Sequence, residues 1–196
     1  MGKKIDRRRK KTVSSESLAA GKSGPVLTAT RRDALVRQVD TAIRLWFFDY
    51  DPLSIHLIAM PAYQVLEDLG KNSRKRPRTI KKRVDETGFT TVYDWLRHAS
   101  GDPHDYVDFP CRVNEQLLWD TTISFEKIFR GRSAYMMTFQ AYFVLWLVPK
   151  SAKHREKADA FLPDGVSVEQ VGSFGRYEFF VKLTEMFAAA MTPLRA

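Results

Sequence analysis

The run "SAYMMTFQAYFVLWLV", Ser133 to Val148, constrains the fold more than any other stretch of the chain. It carries no charge and is dense in aromatic and large aliphatic side chains. Such a segment has to leave water, and two environments can take it. A membrane span needs roughly 20 apolar residues, and this run is shorter and holds Ser133, Thr138 and Gln140. A helix enclosed on all sides by other helices has the same composition. Ser133 can cap it at one end and Pro149 stops it at the other. The expectation is a central helix in a helical domain, with no membrane partner.

A buried helix needs amphipathic neighbours, and the chain supplies them. Leu35, Val39, Ala42, Ile43 and Trp46 recur at helical spacing behind a cap at Thr28 or Thr30, with Arg37, Asp40 and Arg44 opposite. Leu53, Leu57, Ile58, Ala62, Val65, Leu66 and Leu69 predict a second helix, closed by Gly70 and kinked near Leu57 by Pro61. A short helix follows a cap at Thr90 or Thr91 and runs through Trp95 and Leu96 to Gly101. In "RVNEQLLWDTTISFEKIFRG", Val113, Leu117, Thr121, Phe125 and Ile128 point inward and Gly131 closes the helix. "SAKHREKADAFLPDG" reads as a charged helix and turn, and "DGVSVEQVG" as one short extended piece. A final helix from about Ser173 carries Tyr177, Phe180, Leu183, Thr184 and Phe187 on one stripe. There is no convincing strand pair, repeat or heptad array. These patterns predict an all-α fold: a single compact, bundle-like domain of about six to eight helices over residues 28–196. Residues 1–27 hold too few large apolar side chains to offset ordering entropy and are expected to be a disordered basic tail.

Charge is segregated along the chain. The formal total is +9. Residues 1–32 hold ten Lys or Arg against two acids, and residues 71–83, "KNSRKRPRTIKKR", hold eight against none. The remainder holds 14 basic against 21 acidic residues. A mildly acidic domain therefore carries two strongly basic segments. Clustered cations of this kind release counterions on contacting phosphates. Arg74, Lys75, Arg76, Arg78, Lys81, Lys82 and Arg83 are the expected nucleic-acid contacts. No zinc finger, RNA-recognition sheet or clear DNA-reading helix-turn-helix accompanies them, so the expected binding is indifferent to sequence.

The motif "WFFDYDPLSIH" sets Asp49 and Asp51 ahead of His56. Asp51 before Pro52 is the start signal of a helix: a carboxylate cap, then proline at the first helical position. Asp49 then ends the preceding helix. The alternative is a ligand or metal site built from Asp49, Asp51 and His56, with Asn114 or Asp120 added from the later helix. A paired metal site on a helix wants histidines at i and i+4, and His56 has no such partner.

Other chemistry-bearing patterns fail on spacing. "AAGKSG" lacks the earlier glycine of a phosphate loop, where Glu16 stands. His104-Asp105 lies between Pro103 and Pro110, whereas a metal-dependent His-Asp phosphohydrolase carries its pair on a helix. No histidine follows an arginine at the five-residue interval of a helical nuclease motif, and di-iron Glu-x-x-His spacing is absent. No cofactor is implied. The lone Cys111 excludes an internal disulfide, suits a reducing compartment, and reads as an incidental thiol. With no apolar targeting run at the N-terminus, a cytoplasmic location is expected.

The segment "DALVRQVDTAIRLWFFDYDPLSIHLIAMPAYQVLEDLGK", residues 33–71, resembles the start of a group of small all-helical bacterial proteins with no assigned activity. "RVNEQLLWDTTISFEKIF" and the aromatic helix after it resemble the same group. The resemblance covers about half the chain. It implies an all-helical fold and a bacterial cytosolic setting, and it implies no activity or site residues. Pro61 and the basic 71–83 segment are departures from it. The expected function is a non-catalytic binding module with non-specific nucleic-acid affinity through residues 1–32 and 71–83. A ligand- or metal-binding bundle, hydrolytic in one form, is the first alternative. A protein-interaction scaffold, partnering another protein or a second copy through exposed aromatics such as Phe174, is the other.

Overall fold

The computed structural model describes residues 27–72, 89–97, 104, 106–147 and 158–191. Among these residues every regular element is helical and no strand occurs. The helices are α1 (Arg31–Phe47), α2 (Pro52–Asn72), α3 (Phe89–Arg97), α4 (Val113–Phe129), α5 (Ala134–Tyr142), α6 (Val168–Val171) and α7 (Arg176–Met191). The all-α expectation holds. The tail to residue 26 and most of the 71–83 segment lie outside the described residues.

Local chemistry explains most helix starts. Thr30 Oγ1 accepts from the Asp33 backbone N–H at 3.1 Å, while the Asp33 carboxylate takes the Thr30 N–H at 3.2 Å. This reciprocal box satisfies two donors that the first turn of α1 would otherwise leave open. Asp51 Oδ2 accepts from Ser54 N at 2.7 Å, as a cap before Pro52 should. Ser133 Oγ accepts from Met136 N at 3.1 Å to start α5. In "DGVSVEQVG" the expected extended piece is instead a helical turn, because Ser167 and Gln170 form a second capping box.

The uncharged run packs into the core but is not enclosed on all sides, since Tyr135, Met137, Tyr142, Val144 and Trp146 stay partly exposed. Met136, Phe139 and Ala141 of α5 are fully buried, as are Thr138 and Gln140. Beyond Tyr142 the run changes from α to π winding over Phe143–Leu147. Trp119 stacks on Phe143 with ring centroids 4.5 Å apart there, and Tyr142 on Trp146 at 4.8 Å. No helix among the described residues is long and apolar enough to cross a membrane.

Named contacts fix the directions of the helices. α1 and α2 form an antiparallel hairpin, with Gln38 Nε2 donating to the Ile58 carbonyl at 2.8 Å. α4 runs alongside α2 in the same sense, because Asn114 at its start reaches Pro52 and His56. α5 follows α1, and α7 returns against both. Arg176 at its start meets Trp46 and Asp49, while Met191 at its end shares a cleft with Val36 and Ser133.

Several sequence expectations are corrected. α2 runs through Gly70 to Asn72, so Gly70 does not close it. The buried face of α2 is Ile55, His56, Ala59, Met60, Ala62, Tyr63 and Leu66, while Leu57 and Val65 are exposed. α2 packs on α1 and α4 together, which rotates its core stripe away from the one-sided pattern. α3 begins at Phe89, ahead of Thr90 and Thr91. α4 ends on Arg130 in the left-handed conformation (φ 54°), one residue before the glycine expected to close it. Asp120, offered from sequence as a further site residue, is half-buried on α4, and its charge, with that of Glu67, adds to the burial that raises the Tyr63 hydroxyl well above its ordinary value.

Asp40 was expected on the outer face of α1. It is instead half-buried and accepts a 2.5 Å hydrogen bond from Ser133 Oγ. Burial pushes its carboxyl up to about 6 against the opposing Ser133 bond. The unfolded carboxyl titrates near 3.8, so the native state holds the extra proton between these values. The associated stability is fully present below pH 4 and is lost as the pH rises through 6. Asp40→Asn keeps an acceptor for Ser133 and removes the buried charge. It should stabilise the protein at pH 7.5 by about 1–3 kcal/mol, with little effect at pH 4. Urea midpoints of the two forms at both pH values measure the difference. Asp33 and Asp51 lie below the usual carboxylate range through their bonds with Thr30 and Ser54, so their losses come at lower pH in both proteins.

Candidate functional site

Two regions carry the candidate residues, one at each end of the α1–α2 hairpin. The first is the turn holding Asp49 and Asp51. α1 ends there in a paired hydrogen-bond cap: Tyr50 N donates to the Leu45 carbonyl at 3.0 Å and Asp49 N to the Trp46 carbonyl at 3.3 Å. This geometry requires a left-handed residue after the helix cap, and Asp49 takes it with φ 53°. Glycine is the usual occupant, and aspartate is among the few other residues that enter this region readily.

Arg176 explains why an aspartate stands there. Its guanidinium lies over the Trp46 ring, 3.8 Å from the centroid. One terminal nitrogen donates to Asp49 Oδ1 and the other to the Trp46 carbonyl. A single planar cation thus stacks on an indole, pairs with a carboxylate and satisfies a carbonyl at the end of α1. A cation also suits the negative end of the α1 dipole. Arginine is ill suited to the first position of its own helix for the same reason. That misplacement in "SFGRYEFF" was the one available hint of its role, and sequence reasoning missed it.

His56 is fully buried one turn into α2. Its Nδ1 lies 3.0 Å from Asn114 Oδ1, and Asn114 Nδ2 donates to the Pro52 carbonyl at 2.7 Å. A carbonyl only accepts, so the Asn114 amide nitrogen must face Pro52. Its oxygen then faces His56, and Nδ1 carries the proton. The Phe109 ring closes over the imidazole at 5.2 Å between centroids.

The three residues proposed as one site therefore do three different jobs. Asp49 pairs with Arg176, Asp51 caps α2, and His56 ties α2 to α4. Among the described residues no group of three or more His, Cys, Asp or Glu side chains is placed to hold a metal ion. Asp49 and Asn114 do share a cleft of about 160 Å³ with Arg112, Glu115 and Arg176, and Asp51 and His56 are off its wall. Burial raises the Glu115 carboxyl above its usual range, opposed by Arg112 and Arg176. With two cations against two carboxylates, the described lining of the cleft is close to electrically balanced. The exposed Cys111 on its rim lies 3.9 Å from the Phe109 carbonyl within its own turn.

The second region is the opposite end of the hairpin. Leu27–Arg32 precedes and opens α1, and Lys71 lies in the last turn of α2. The first basic segment thus joins the fold at the same end from which the second departs. Arg32, Arg37 and Arg132 line a cleft of about 390 Å³ here, together with Asp33, Phe125 and Ser133. Arg74, Lys75, Arg76, Arg78, Lys81, Lys82 and Arg83 lie outside the described residues.

No family model, curated protein or solved structure matches this chain.

The Arg176 clamp yields a direct test. Arg176→Ala should lower stability by about 1–3 kcal/mol. Arg176→Lys should recover less than half of that loss, because an ammonium cannot stack flat and donate in two directions. Chemical denaturation of the three proteins decides it, and full rescue by lysine would reduce the clamp to a simple charge. For the α2 cap, Asp51→Ala should lower the Tm by about 2–6 °C and Asp51→Ser should restore most of it.

Proposed function

We propose that this protein is a non-catalytic nucleic-acid-binding module that grips the phosphate backbone without reading sequence. The observation that carries the proposal is charge convergence. Two segments with eighteen cations between them, Arg32 included, join the described fold at the same end of the α1–α2 hairpin, and Arg37 and Arg132 of the folded domain lie at that end too. Solvated tails kept only for solubility have no reason to share a pole with further arginines. A polyanion laid across that pole can touch both segments and the domain at once, and each phosphate neutralised releases counterions.

Labelled single- and double-stranded oligonucleotides titrated at about 50 and 200 mM salt test this directly. Affinity should be similar across unrelated sequences and fall steeply with salt. Neutralising Lys75, Arg76, Arg78, Lys81 and Lys82 should weaken binding and flatten the log–log salt slope by about 0.9 per lost duplex contact. Deleting residues 1–27 should have a smaller effect of the same kind. No binding at about 50 mM salt would sink the proposal.

A second reading draws on the opposite end. Phe48, Tyr50 and Tyr177 are exposed there, with Phe48 and Tyr177 packed edge to face at 5.2 Å. Exposed aromatics of this kind suit an interface with another protein or a second copy. Phe174, the aromatic singled out from sequence, packs partly against the core beneath Lys182 and is a weaker candidate. Sedimentation of the protein with Tyr50→Ser and Tyr177→Ser changes addresses self-association.

A further inference from the structure

The cleft at the basic end has more structure than a charged surface needs. It lies between the N-terminal half of α1, the loop joining α4 to α5, and the end of α7. Its volume of about 390 Å³ is within the range of small-molecule pockets, roughly 300–1,000 Å³. Three arginines line it, and Val36, Phe125 and Met191 supply an apolar side. Asp33 is its one acid among the described lining residues, and that carboxylate is engaged by the Thr30 backbone N–H and hydroxyl.

The arginines are not equivalent. Arg132 is held in place: one terminal nitrogen donates to the buried Gln140 Oε1 at 2.7 Å, and its Nε lies 3.6 Å from Glu126. Arg32 and Arg37 are exposed on α1. The Gly131 backbone faces Arg32 so closely that a Cβ added there would sit 3.9 Å from its guanidinium, an ordinary contact. The caps of α1 and α5, Thr30 and Ser133, are at this end as well, so two helix N-termini add their positive ends to the three side-chain charges.

We propose that this cleft is a phosphoryl seat, in which Arg32, Arg37 and Arg132 hold one phosphate group. Resting on the nucleic-acid reading above, it fixes where a strand crosses the folded domain. The seat fits a phosphate better than a carboxylate because its forked donors come from two elements, Arg32 and Arg37 on α1 and Arg132 on the loop before α5. A phosphoryl group offers acceptors in three directions where a carboxylate offers one plane.

The test uses the full chain and two unrelated perturbations. Arg37→Gln removes an exposed donor. Gly131→Glu sets a carboxylate beside Arg32, with Gly131→Gln as the control for size. Two probes are used: a fluorescent single-stranded oligonucleotide, with and without a 5′-phosphate, and inorganic pyrophosphate in a thermal melt. Arg37→Gln and Gly131→Glu should each weaken oligonucleotide binding about tenfold, while Gly131→Gln stays within about twofold of wild type. Pyrophosphate should raise the Tm of wild type and Gly131→Gln but not of Gly131→Glu. Preference for the 5′-phosphorylated strand would assign the seat to a strand end, and equal binding would assign it to the backbone. Oligonucleotide binding untouched by either change, with no pyrophosphate effect, overturns the seat while leaving the basic segments as the binding element. Pyrophosphate stabilisation that Gly131→Glu abolishes, without any oligonucleotide binding, upholds the seat and overturns the nucleic-acid reading.

Discussion

The aromatic cluster at the end of α1 is the contact on which the other elements depend. Trp46 and Phe47 meet Phe139 and Tyr142 of α5 edge to face, with centroids 5.0–6.4 Å apart across the group. Phe179 and Phe180 of α7 close the remaining side. Each of these rings buries a large apolar area, and edge-to-face packing adds about 0.5–1.5 kcal/mol per pair. Because α1, α5 and α7 all contribute, the cluster sets their relative positions. Arg176 then seals it from above, converting the end of a helix and the face of an indole into one cation site.

That seal has a conformational cost. Asp49 occupies a backbone region where glycine would sit without strain, at a cost of about 1 kcal/mol or more. Glycine would relieve the strain and lose the carboxylate that fixes Arg176. The balance favours aspartate only because α7 begins at that point, so the turn and the last helix are coupled across more than a hundred residues of chain. Asn114 provides a similar coupling between α2 and α4, in a form that is fully buried and fully directional. Polar residues in this fold are thus used to set register between helices, while the arginines of the larger cleft are collected at the other end.

The two ends of the α1–α2 hairpin differ in kind. At the Asp49 end, charges are paired within the fold and the described lining of the cleft is near balance. At the Arg32 end, cations outnumber acids and the helix N-termini reinforce them. On the proposed function, this polarity would orient an approaching polyanion, since an electrostatic field acts before contact is made.

Much of this was legible from the sequence alone. The uncharged run from Ser133 required a helix packed into the core, and the alternating stripes and capping residues required amphipathic helices around it. Thr30, Asp51 and Ser133 took their capping roles because a cap is a matter of three or four neighbouring residues. The segregation of charge was equally plain. What the sequence left open depends on contacts between residues far apart in the chain. The stripe of α2 rotated because two helices pack on it from different sides, which no periodicity within one helix can encode. Asp40 left the solvent face because Ser133, more than ninety residues away, arrived beside it. Asp49, Asp51 and His56 look like one site when written in a line. Tertiary structure separates them, because a helix turns each side chain toward a different neighbour and Arg176, Ser54 and Asn114 claim one apiece.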